Sequence, residues 1–155
     1  TLDLNYFSVI LFIGAVAGIA HLYSKIATKR SDLENLITIA FLSVAAFVTI
    51  SKVYSPQYIL WLTPMAVIAL TRKEDRAAFW IWQGGEALYH LAIWQYLASY
   101  TGAKFGMPAN IYALIVLIRI ATLAWFSTTL IRTALNASSP TTNPASTAPH
   151  AQISH

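Results

Sequence analysis

Residues 4–23 read LNYFSVILFIGAVAGIAHLY, a run without a single acidic, lysine or arginine side chain. As a helix rising ~1.5 Å per residue, it is about 30 Å long, the thickness of a bilayer's hydrocarbon core. Inside lipid, a helix is what pairs every backbone N–H and C=O within one segment. This stretch therefore predicts a membrane-spanning helix and points to an all-α fold. Composition agrees over the whole chain. Of its 155 residues 57% are hydrophobic and 10% charged, where a soluble domain carries about 25% charged residues. With no cysteine present, structural disulfides, thiolate metal sites and cysteine nucleophiles are excluded.

Further apolar runs follow outward from the first. Residues 36–53 are rich in Ala, Val, Ile and Thr, a mixture suited to helix packing in lipid. Before them, Ser31 and Glu34 match a capping box. Residues 58–70 form a shorter run, too short alone to cross about 30 Å, with Pro64 inside it. Beyond the charged turn TRKEDR, residues 77–100 are aromatic and interrupted by Gly84, Gly85 and Glu86; the glycine pair offers close helix approach. Residues 110–135 make the last run, with Arg119 at its centre. The expected fold is all-α, a polytopic transmembrane bundle of about five spans over residues 1–135. The Ser/Thr/Pro/Ala-rich residues 136–155 cannot bury a core and read as a disordered tail. No internal repeat is visible. A chain that starts at Thr1 rather than Met reads as processed, trimmed or part of something longer, and the first run lacks the basic start of a cleaved signal.

Five spans place the chain ends on opposite sides. Lys25, Lys29, Arg30, Arg72, Lys73, Arg76 and Arg132 then share one side, and Lys52 and Lys104 the other. Basic residues favour cytoplasmic loops, so the expectation is a multi-pass plasma-membrane protein with the Lys52–Tyr58 loop outside and the tail inside. Basic clusters between apolar runs are topology signals, not a nucleic-acid face. Aromatics near the span ends fit interfacial belts: Tyr6, Phe7, Tyr54, Trp61, Trp94, Tyr96 and Tyr100 at one, Tyr23, Trp80, Trp82 and Trp125 at the other.

Two constellations carry chemistry. The first is KVYSPQYILWLTP, residues 52–64. Ser55 suits an N-cap and Pro56 a first helical residue. The helix start then presents free N–H groups and a partial positive charge beside Lys52. Tyr54, Gln57 and Tyr58 add hydrogen-bonding groups, and Tyr58 and Trp61 flat apolar faces. Such a set can hold a phosphate and the start of a lipid tail; the plainer reading is a capped helix with interfacial anchors. The second constellation is Glu86, His90 and Arg119. Glu86 and His90 share a helix face, and Arg119 lies at a matching depth. A charge at mid-bilayer costs ~3 kcal/mol, so each needs a partner or a wet cavity. The readings are a structural Glu86–Arg119 bridge with His90 beside it, or a polar pocket lined by Tyr89, His90 and Trp94. No metal set with proper spacing is apparent around His90.

The stretch SKVYSPQYILWLTPMAVIAL resembles the late part of GT-C type membrane glycosyltransferases, most closely glycosyltransferase family 87. The resemblance rests on Lys52, Ser55, Pro56, Gln57, Tyr58, Trp61 and Pro64, and more loosely on WQGGEALYHLAIWQYL. It covers roughly residues 36–100 and implies the C-terminal part of a polyprenyl-phosphate-mannose-dependent mannosyltransferase. Such an enzyme moves a hexose from a polyprenyl-phosphate donor to a lipid or glycan acceptor on the outer face, with no separate cofactor. Lys52, Gln57 and Tyr58 are then expected at the donor phosphate, with Ser55 between them, and Tyr54 and Trp61 at the prenyl chain. The family's catalytic base is an acid in a first external loop, and nothing around Asp3 identifies it as that residue. The rival expectation is a small transporter or permease subunit using Glu86, His90 and Arg119 at its midplane; a third is a non-enzymatic membrane scaffold.

Overall fold

The computed structural model describes residues 2–51 and 54–137, with side chains from residue 6 onward. Lys52, the side chain of Asp3 and tail residues 138–155 lie outside that description. Among the described residues five helices follow one another: α1 (Leu2–Ile26), α2 (Asp32–Ile50), α3 (Tyr58–Ala69), α4 (Arg76–Tyr100) and α5 (Ala109–Leu135), with a 3-10 turn at Lys73–Asp75. Three of the described segments are long and apolar enough to cross a membrane, Tyr6–Ile26, Asp32–Ile50 and Ala109–Leu135. The molecule is an all-helical membrane protein. α4, at 25 residues, has the length to cross (~37 Å) but spends part of its surface on polar groups. α3 has 12 residues, about 18 Å, and goes roughly half way.

Local chemistry sets the boundaries. α2 starts at Asp32 because Ser31 and Glu34 close the expected capping box. The Glu34 N–H donates to Ser31 Oγ at 3.3 Å, and the Ser31 N–H donates to Glu34 Oε2 at 3.3 Å. At the far end of α4 the chain reverses through Gly102, whose φ of 79° suits a residue without Cβ. There the Ala103 N–H reaches back to the Ala98 carbonyl at 3.1 Å, satisfying a helix-end acceptor.

One end of the bundle gathers the end of α1, the start of α2, the end of α3, the start of α4 and the end of α5. Lys29 Nζ donates to the Leu135 carbonyl at 2.6 Å, and Thr133 Oγ1 donates to Asp75 Oδ2 at 2.8 Å. Lys29, Arg30 and Arg72 line one polar cleft of about 540 Å³ there. The cations that the sequence assigns to one side thus share one end. Above this basic end, Trp82 stacks on Phe126 (5.2 Å between centroids, 5° between planes), with Phe41 edge-on to both. This aromatic core corrects the expectation for Trp82: it is fully buried rather than interfacial, because it lies on the α4 face that packs on α5. Trp80 and Trp125 do stay exposed.

The shortness of α3 has a spatial consequence. Gln83 of α4 meets Thr63 of α3 at 3.2 Å, and His90 Nε2 lies 3.2 Å from the Pro56 carbonyl. The α2–α3 connection therefore reaches only the level of His90, and α4 continues to Tyr100, about 15 Å further along its axis. The loop occupies a recess between longer helices, not the rim.

Candidate functional site

The recess is floored by a buried ion pair. Glu86 and Arg119 are 2% and 3% exposed, and Arg119 Nε donates to Glu86 Oε1 at 3.0 Å and Oε2 at 3.2 Å. The bridge between the last two helices that depth arithmetic predicts is present. Its setting explains why it is tolerated. Glu86 also accepts from Trp82 Nε1 at 3.2 Å and from the Tyr54 hydroxyl at 2.9 Å. A buried carboxylate is stable only when its lone pairs are used in this way. Gly85 makes the approach possible. A Cβ there would strike Thr122 Oγ1, whereas one at Gly84 meets nothing. Only the second glycine of the pair serves close packing.

Arg119 uses just one edge of its guanidinium. Its Cζ lies 3.2 Å from the centroid of the Tyr54 ring and 5.2 Å from that of Tyr89, a cation–π arrangement. Nη2 is buried without a hydrogen-bond partner among the described residues. Stranding that N–H group costs free energy of order 1–3 kcal/mol, and an anion or a water beside it would remove the cost.

Tyr54 therefore departs from its expected place at an interface. Its hydroxyl is tied to Glu86 and one ring face covered by Arg119, because the short α3 draws the loop down to their level. The helix start also differs from expectation. Ser55 is not the N-cap; that position falls to Gln57, without a side-chain cap bond. Residues 55–57 form a tight turn. Its carbonyls at Ser55, Pro56 and Gln57 accept from the N–H groups of Tyr58, Ile59 and Leu60 at 3.0, 3.4 and 3.0 Å. These three N–H groups are occupied, and the helix tip offers a ligand fewer donors than a free one. Gln57 is exposed, Ser55 and Tyr58 are half-buried, and Trp61 is 54% exposed on the outer surface of α3.

His90 fastens this turn to α4. Its Nδ1 lies 2.8 Å from the Glu86 carbonyl and its Nε2 3.2 Å from the Pro56 carbonyl. Both neighbours are acceptors, so a neutral ring donates to one of them only. From here a chain of aromatic rings runs in both directions. Tyr54 meets Tyr58 edge-on at 5.6 Å, and Tyr58 meets Trp61 at 5.4 Å. On the other side Tyr54 meets Tyr89 at 5.2 Å, the Tyr112 hydroxyl donates to that of Tyr89 at 3.4 Å, and Tyr112 stacks on Tyr96 at 4.4 Å. Trp94, expected in a pocket with His90, is instead exposed.

The two constellations are thus one site: Tyr54 and Pro56 of the loop contact Arg119, Glu86 and His90 directly. The sequence reading missed Trp82 and Tyr112 as members. Trp82 lies four residues before Glu86 and Tyr112 seven before Arg119, spacings that put each on the same helix face as its charge. Among the described residues no group of three or more His, Asp or Glu side chains is placed to hold a metal ion. Comparison of the chain with known protein families, with curated proteins and with solved structures finds no match.

Proposed function

We propose that this chain is the donor-binding membrane region of a glycosyltransferase that takes a hexose, mannose in the first instance, from a polyprenyl-phosphate carrier on the outer face of the plasma membrane. The observation that carries the reading is the union of the SPQY turn with the Glu86–Arg119 pair in one recess. A polyprenyl-phosphate sugar has three parts, and the recess offers a surface for each. The unpartnered Nη2 of Arg119 suits the phosphate, with Lys52 as a second cation. The half-buried rings of Tyr54 and Tyr112, backed by buried Tyr89, suit a sugar, whose C–H faces pack on aromatic planes. Exposed Trp61, at the end of the ring chain, suits the prenyl chain in the adjoining lipid. Tyr54, tied to Glu86, shapes the floor between the two.

Glu86 serves to hold Arg119 with one edge free. The reading assigns donor binding to these residues and leaves the catalytic base to another part of the enzyme. With Lys29, Arg30 and Arg72 at the cytoplasmic end, the recess opens away from the cytoplasm, where a flipped lipid-linked sugar is presented.

The test is binding of a short polyprenyl phosphate to the purified chain, followed by tryptophan fluorescence. Trp61→Phe and Gln57→Ala should weaken binding about 3- to 10-fold, the effect of one modest contact. Lys52→Ala should weaken it by about 10-fold or more and remove much of its salt dependence. Equal affinity of all three variants and the parent would overturn the reading. The buried charge pair at mid-depth favours one alternative, a transporter subunit. Glu86-dependent solute uptake in proteoliposomes, without polyprenyl-phosphate binding, would establish it.

A further inference from the structure

The polar cleft of about 540 Å³ at the basic end is lined by the α1–α2 turn, the α3–α4 connection and the end of α5. Lys29, Arg30 and Arg72 line it with one carboxylate, Glu34. A topology signal needs only hydrated cations, and Arg76 and Arg132 stay exposed in that way. Arg30 does not. Its side chain is 6% exposed. The turn that carries it is fixed by buried Asn35, whose Nδ2 donates to the Ile26 and Arg30 carbonyls at 3.2 and 3.4 Å. The guanidinium held there is underused. Nη1 donates to Thr38 Oγ1 at 3.3 Å and Nε lies 3.7 Å from Glu34 Oε2, but Nη2 is buried with no hydrogen-bond partner among the described residues. Glu34 is engaged elsewhere, since the same oxygen accepts from the Ser31 N–H and hydroxyl at 3.3 and 3.0 Å. Lys29 donates to the Leu135 carbonyl at 2.6 Å and has no carboxylate partner among the described residues. Arg72 pairs with Glu74 at 3.4 Å, but both side chains are exposed, so water screens that pair.

We propose that this cleft binds a phosphate monoester, the doubly charged group of an acidic lipid headgroup or of a soluble sugar or glycerol phosphate. Three cations from two separate segments meet one carboxylate there. A dianion neutralises that excess, where a carboxylate or a phosphodiester leaves half of it. The Arg30 guanidinium is the planar fork that suits phosphate oxygens, and an oxyanion against it supplies the acceptor that Nη2 lacks. The cleft lies at the helix ends, at headgroup depth, and exposed Ser31, Thr71 and Asn136 border it. A headgroup and a free ester can therefore both reach it.

The inference stands apart from the proposed function. The recess lies on the far side of the aromatic core and contains none of these residues, so any phosphate bound there is common to the parent and the variants. The full chain is offered both sources. In a maltoside detergent, radiolabelled glycerol phosphate is presented by equilibrium dialysis. In bilayer nanodiscs of equimolar phosphatidic acid and phosphatidylglycerol with matched acyl chains, the lipid retained after extraction is identified by native mass spectrometry. The parent binds the monoester in at least one arm, in the lipid arm as a preference for phosphatidic acid, and the arm or arms that bind identify the source. Arg72→Gln, a change at an exposed side chain, weakens that binding about fivefold, the worth of one cation at a membrane surface. Arg30→Gln weakens it by at least as much, and Lys104→Gln, at the other end of the bundle, leaves it unchanged. No binding in either arm, undiminished binding in Arg72→Gln, or an equal loss in Lys104→Gln would each overturn the inference.

Discussion

α4 and α5 meet across charge, whereas α1 meets its neighbours across an open apolar groove. The α4–α5 seam buries Glu86 and Arg119, and Trp82 and Tyr54 complete the hydrogen bonding of Glu86 while Arg119 Nη2 stays without a partner among the described residues. α1 buries almost none of its length, with only Leu22 and Ile26 fully covered among its described side chains. In water the apolar helix would be the better-held one. In lipid, burying hydrocarbon against hydrocarbon gains little, so small-residue contact and polar pairs do the holding. The bundle is accordingly two parts: a registered polar seam that positions the recess, and a peripheral helix whose inner face is only partly covered by its neighbours.

The sharpest way to break this contrast is to strand one charge. Arg119→Met leaves the Glu86 carboxylate buried without its cation and should cost about 3–5 kcal/mol, read as lost unfolding free energy in detergent. Adding Glu86→Gln should restore most of it, because the amide oxygen still accepts from Trp82 Nε1 while its NH2 donates to the Tyr54 hydroxyl, which can turn to accept. Next is the close approach under the pair. Gly85→Ala drives a methyl into Thr122 and should cost about 1–3 kcal/mol. Thr122→Ala should relieve it, and Gly84→Ala should do nothing.

Smaller effects sharpen the comparison. Trp82→Phe keeps an aromatic ring against Phe126 but removes the donor to Glu86, for about 1–2 kcal/mol. Ser31→Ala opens the α2 capping box, for about 1 kcal/mol. Exposed α1 positions should be the least sensitive. Val9→Ala and Ile13→Ala are expected within about 0.5 kcal/mol of the parent; losses equal to those at Gly85 would show that α1 is held as firmly as the seam.

Much of this was legible in the sequence. Apolar runs gave the five helices, residues 58–70 matching α3 to within one residue, and depth arithmetic paired Glu86 with Arg119. Tyr54 and Trp82 were misread for a common reason. Both stand near the ends of apolar runs, and a belt rule sorts aromatics by that distance alone. It does not register that a 12-residue helix pulls its loop inward, or that one face of α4 is turned to α5. The union of the two constellations was illegible for the same reason, since Tyr54 and Glu86 are 32 residues apart and no local spacing links them. Capping at Ser55 was misread because the turn satisfies its own donors through i→i−3 bonds.

The absence of native cysteine allows one direct measurement. A single cysteine at Gln57 is exposed to a membrane-impermeant thiol reagent in intact cells, with and without polyprenyl phosphate, and compared with one at Thr71 near the basic end. The account predicts that Gln57→Cys is labelled from outside and protected by the ligand, while Thr71→Cys is labelled only after permeabilisation. Labelling of Gln57→Cys from the cytoplasmic side alone, or outside labelling that polyprenyl phosphate leaves unchanged, would contradict it.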